Sequence, residues 1–94
     1  MEPVTLSPAT IESAESVLPD ELAQRMFCYL ATHPNASTEQ VTAICFIENL
    51  SDVARKSNKY LATQNLFISC QRPPDGESSG RYRWGIYRMA KSRI

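Results

Sequence analysis

Glycine is scarce in this chain: there are three in 94 residues, Gly76, Gly80 and Gly85, all within or beside one stretch near the C-terminus. That scarcity excludes the glycine-rich phosphate loops of nucleotide-binding enzymes, and no GxSxG or HExxH string points to a hydrolase or a metalloprotease. Histidine is rarer still. His33 stands alone before Pro34 at a helix end, where an imidazolium suits the helix dipole. The three cysteines, Cys28, Cys45 and Cys70, make no CxxC pair and have no neighbouring histidine, so each reads as a small hydrophobe on an inward side. No metal, no cofactor and no catalytic residue is expected, and the chain is not read as an enzyme.

Long apolar runs are missing too. None approaches the about eighteen residues of a membrane span, so no membrane association is expected. The first twenty residues carry Glu2, Glu12, Glu15 and Asp20 without one Lys or Arg, unlike a secretion signal or a transit peptide. The expected setting is therefore the cytoplasm, where thiols stay reduced. Without a signal, the Asn-x-Ser triplets at Asn35 and Asn49 read as helix-start chemistry, not glycan acceptors.

What is present is ordinary globular composition, 43% apolar and 21% charged, in a length that builds one core and not two. The net charge of zero hides a split. Residues 1–54 hold eight acids (Glu2, Glu12, Glu15, Asp20, Glu21, Glu39, Glu48, Asp52) against Arg25, a net of −7. Residues 55–94 hold nine bases (Arg55, Lys56, Lys59, Arg72, Arg81, Arg83, Arg88, Lys91, Arg93) against Asp75 and Glu77, a net of +7. Such asymmetry suggests one surface that meets a polyanion.

Local signals order the chain. Residues 1–18 read as an acidic extension, partly disordered or forming one short helix after Ser7-Pro8. A first main helix is expected from Pro19 to His33, with Leu22, Met26, Tyr29 and Leu30 inward, Phe27 widening the apolar face and Pro34 ending it. Ser37 followed by Gln40 is a capping-box pattern, opening a short second helix with Val41, Ile44 and Cys45 inward and Phe46-Ile47 at its close. The turn Glu48–Ser51 leads into a third helix reaching about Gln64, with Leu50, Val53, Ala54, Ser57, Tyr60 and Leu61 inward. Asn65 suits the left-handed position after it.

The period then changes from 3.6 to 2. Residues 66–72 alternate with Leu66, Ile68 and Cys70 on one face, and residues 81–87 alternate with Tyr82, Trp84 and Ile86 on one face. The Pro- and Gly-containing run 73–80 joins them as a hairpin tip. Trp84 is expected in the core and Tyr87 is left as the outward aromatic. Residues 89–94 read as a basic tail.

Helix, short helix, capped helix and hairpin, over residues 19–88, resemble a winged helix-turn-helix domain: α+β, mainly α, three helices followed by a β-hairpin wing. The segment Leu61–Ile68 resembles the exit from that family's recognition helix, with Asn65 where glycine is usual. Within the family the chain resembles small bacterial transcription regulators of the PapI/FaeA or CaiF/GrlA type. The resemblance implies that the third helix enters the major groove of double-stranded DNA and the wing meets the backbone.

The residues expected to carry this are Ser51, Arg55, Lys56, Asn58 and Lys59 on the helix, with Arg72, Arg81 and Arg83 on the hairpin. Arginine reads guanine and asparagine reads adenine, while lysines hold phosphates. Asp52 dissents, serving the helix dipole or rejecting phosphate on one side. A homodimer or a regulatory protein partner is expected, because one such domain offers limited specificity. In the cell such a regulator associates with the bacterial nucleoid. The alternative is a protein-interaction module, an adaptor or anti-regulator without direct DNA contact, docking through the acidic extension and first two helices. RNA is a weaker option, since no RNA-recognition string is visible.

Overall fold

A computed structural model of the chain describes residues 3–71 and 82–89. Among the described residues the fold is α+β and mainly helical, with four α-helices and a three-stranded antiparallel sheet. The sequence pattern predicts three main helices, a short helix after Ser7-Pro8 as one outcome for the extension, and two strands; the third strand is additional.

Helix α1, Pro8–Ser16, is the short helix that Ser7-Pro8 announces in the extension. Ser7 Oγ accepts from the Thr10 N–H at its N-cap and Pro8 occupies the first position. Leu6, Ala14 and Leu18 are buried, and the Val4 N–H donates to Ile86 O at 2.8 Å. The described part of the extension is thus packed against the body of the protein.

Helix α2, Glu21–Thr32, starts on Asp20, whose Oδ1 accepts from the Ala23 N–H at 2.9 Å. It buries Ala23, Met26, Phe27 and Leu30, with Tyr29 partly buried against the core, so the expected face is present except that Leu22 is exposed and Ala23 is buried in its place. The unforeseen strand β1, Ala36–Ser37, follows. Ser37 belongs to this strand and also caps α3, Thr38–Cys45, through the expected capping box. Its Oγ accepts from the Gln40 N–H at 3.2 Å, and Gln40 Oε1 accepts from the Ser37 N–H at 2.9 Å.

Helix α3 buries Val41 and Cys45 but not Ile44, which is 57% exposed and corrects its inward assignment. Phe46 and Ile47 close the helix as expected, with Phe46 turned to solvent. Phe46 sits at the C-cap with φ 57°, a left-handed backbone that bulky residues seldom adopt, and is 81% exposed, while Ile47 is buried instead.

Helix α4, Leu50–Leu61, corresponds to the expected third helix. Asn49 caps it by accepting from the Asp52 N–H at 3.1 Å. Leu50, Val53, Ala54, Ser57 and Leu61 are buried, whereas Tyr60 is exposed. The α-helix ends at Leu61, passes into a 3-10 turn at Ala62–Gln64, and Asn65 takes the expected left-handed conformation, φ 60°.

Strands β2, Leu66–Gln71, and β3, Arg83–Arg88, pair antiparallel, and β1 pairs with the far edge of β3, giving the order β1-β3-β2. Ile68 faces Ile86 and Cys70 faces Trp84 on the helix-facing side. Trp84 is buried, and its indole N–H donates to Thr38 Oγ1 at 2.9 Å. On the opposite side Phe67 tilts against Tyr87, ring centroids 5.6 Å apart. Pro3 lies so close over Gly85 that a Cβ there would meet Pro3 Cγ at 2.8 Å, which accounts for glycine in mid-strand. Covered by these neighbours, Tyr87 is 1% exposed and is not the outward aromatic that alternation suggested. No helix among the described residues is long and apolar enough to cross a membrane.

Candidate nucleic-acid interface

The amphipathic pattern of α4 decides which side chains reach solvent. With Leu50, Val53, Ala54, Ser57 and Leu61 inward, the opposite side carries Ser51, Arg55, Lys56 and Lys59, all exposed. Arg55 and Lys59 stand one turn apart, with Ser51 a turn before Arg55, so the three form a row along the helix. Four of the expected residues are thus brought together by one element.

Asp52 lies beside the N-terminal end of this row, in the first turn of α4. Its Oδ1 is 3.7 Å from Arg55 Nη1 and its Oδ2 is 3.7 Å from Lys56 Nζ. Those separations exceed hydrogen-bond lengths, so the carboxylate attracts both cations without locking either. The pairs are solvent-exposed and contribute about 0–1 kcal/mol each. Asp52 belongs with the site although it is not among the expected contact residues, and its i+3 and i+4 spacing to two cations is the signal in the sequence that finds it.

Asn58 is not available to read a base. Its Nδ2 donates to Ile68 O at 3.0 Å and its Oδ1 accepts from the Ile68 N–H at 2.7 Å. The carboxamide therefore behaves as a short piece of neighbouring strand, satisfying the outer edge of β2 that β3 leaves open. It fastens α4 to the sheet, and the expected adenine-reading role is replaced by a structural one.

Arg83 also departs from the expected cluster. It stands on the central strand, between Ser37 of β1 and Gln71 of β2, and its Nη1 donates to Asn35 O at 3.5 Å, which draws the side chain toward the β1 edge and away from the edge that α4 adjoins. Arg72 and Arg81, the other hairpin arginines, lie outside the described residues. The described interface is consequently the α4 row alone.

A second place with chemical groups lies between α1 and α2. Here Glu15, Glu21, Gln24, Arg25 and Cys28 line an open depression of about 280 Å³. The Cys28 thiol donates to Glu15 Oε2. Burial, and then the hydrogen bond and the negative charge of Glu15, push its pKa up from an ordinary value of 9.0 to about 12. At neutral pH the group is a protonated thiol without nucleophilic character. Burial also raises Cys45 and Cys70. Among the described residues no three His, Cys, Asp or Glu side chains form a metal-sized cluster.

No protein-family model matches the chain, and no curated protein or solved structure matches it either.

Proposed function

We propose that the protein is a sequence-specific regulator of transcription that binds double-stranded DNA as a winged helix-turn-helix. In this reading α3, the turn 46–49 and α4 are the helix-turn-helix, and β2 and β3 carry the wing. The observation that carries it is the row Ser51, Arg55 and Lys59, with Lys56 beside it, on the solvent side of a helix whose other side is anchored in the core. Long cationic donors on a rigid helix suit the major groove, where guanine presents two acceptors and the flanking phosphates present charge. Fluorescence anisotropy with a labelled duplex tests this. The three α4 cations predict a log–log salt slope of about −3, steeper if Arg72 and Arg81 join. Arg55→Ala should cost about 1–3 kcal/mol on a cognate site. An affinity indifferent to salt and to Arg55 would refute the proposal.

A second reading, the protein-interaction module, is favoured by a different observation. Ile44 and Phe46 are exposed at the end of α3, beside Arg25 of α2, whose Nη1 donates to Cys45 O at 2.9 Å, and Leu22 is exposed one turn before Arg25. Exposed large apolar side chains at one junction are typical of a docking patch. Phe46→Ser separates the two: duplex affinity is unchanged under the DNA-binding reading, and a protein partner is lost under the second.

A further inference from the structure

From the geometry of Asp52 and Arg55 we infer that α4 selects a G·C base pair, with Arg55 as the reader of guanine and Asp52 as the residue that both positions Arg55 and accepts from the paired cytosine. This rests on the DNA-binding reading above and gives that site its preferred base pair.

A carboxylate beside a polyanion-binding row lowers affinity for every duplex, through repulsion of phosphates. The dipole of α4 favours an acid in this first turn in the free protein, and a contact with a base donor would offset the repulsion in the complex. Asp52 is held in the first turn of α4 by its own N–H donating to Asn49 Oδ1, and it projects toward Arg55 and Lys56 at 3.7 Å. Its side chain and that of Arg55 are 44% and 74% exposed, so both can meet a ligand. At 3.7 Å no donor of the guanidinium is consumed, and the carboxylate biases the side chain toward its own side of the helix.

Together the two groups offer a donor, a second donor and an acceptor. A G·C pair presents the complement across its major-groove edge: the N7 and O6 acceptors of guanine, then the N4 donor of cytosine. An A·T pair presents acceptor, donor and acceptor, and would set its N6 donor against the guanidinium. With Asn58 committed to Ile68, this face of α4 has no carboxamide with which to read adenine.

The experiment uses the full chain and a duplex selected from a random pool. Each G·C pair of that duplex is replaced in turn by A·T, or its guanine by 7-deazaguanine, which lacks the N7 acceptor and leaves the phosphates untouched. At one pair the wild type is expected to lose about tenfold or more on either replacement. Asp52→Asn and Asp52→Ala should bind a mixed-sequence duplex more tightly at low salt and discriminate severalfold less at that pair. Arg55→Lys should keep most non-specific affinity and lose the discrimination, because an ammonium cannot span N7 and O6 as a planar fork does. A merely structural Asp52 would not move affinity and discrimination in opposite directions. If the duplex binds but the Asp52 variants keep the full preference, or no pair depends on N7, this inference is overturned and the DNA-binding reading stands. If no duplex binds in a salt-sensitive way, both fall.

Discussion

Replacing Asn58 by alanine separates the two roles that sequence and structure assign to it. The wild-type carboxamide makes two hydrogen bonds to the backbone of Ile68, at 2.7 and 3.0 Å, and Ile68 is itself 3% exposed. Two such bonds contribute about 0.5–1.5 kcal/mol each, and their loss strands a buried N–H and C=O, so the combined cost is about 2–4 kcal/mol. A domain of this size has roughly 5–14 kcal/mol of stability in total. The loss should lower the thermal midpoint by at least about 8 °C. Urea titration followed by circular dichroism measures it directly, and Asn58→Asp supplies a second reading. Aspartate keeps the acceptor for the Ile68 N–H but sets a carboxylate oxygen against the Ile68 carbonyl, so it should be no better than alanine. A change below about 0.5 kcal/mol, with duplex affinity falling instead, would refute the structural role and restore Asn58 to base reading.

Gly85→Ala should destabilise by about 1–3 kcal/mol, because the new methyl meets the Pro3 ring at 2.8–2.9 Å. Hydrogen exchange should then show the Val4 amide losing protection as its bond to Ile86 loosens, and an unchanged Val4 would show that Pro3 yields freely. Tyr87→Phe should be neutral or stabilising. The hydroxyl is buried without a well-formed hydrogen bond, its pKa raised by burial and only partly lowered by Gln71, so a denaturation loss above about 1 kcal/mol would contradict this. For Cys28, the folded pKa lies above the unfolded one. The stability held by its neutral thiol is whole below about pH 9 and is lost as pH rises toward about 12, because the unfolded chain releases its proton first. Glu15→Gln removes the charge that helps hold the thiol protonated, so Cys28 alkylation at pH 8–9 should quicken, and an unchanged rate would refute that coupling.

The features legible in the sequence are those whose physics spans a few residues. The Ser37–Gln40 capping box, the Asn49 cap, the left-handed Asn65 and the buried stripe of α4 all depend on partners within one or two turns, and all appear where composition and spacing put them, except that Tyr60 leaves the stripe for solvent. The cationic row of α4 was readable for the same reason, since its outward side follows from its inward one. Asn58 shows where that reasoning stops. As a polar residue beside the row it reads as outward, and only the arrival of β2, ten positions later, turns it into a strand-edge partner. Trp84 likewise meets Thr38 across 46 positions, a contact bound up with the pairing of Ala36 and Trp84 that creates β1. Tyr87 is buried because Pro3 and Phe67 lie on its face of the sheet, which alternation within β3 cannot register. Phe46 is exposed because the left-handed turn between α3 and α4 sends Ile47 inward in its place. Local hydrogen bonding and periodicity determine which elements form and which side of each is apolar. How far each face is covered, and which polar group is spent on holding the fold, is decided by what distant chain is packed against it.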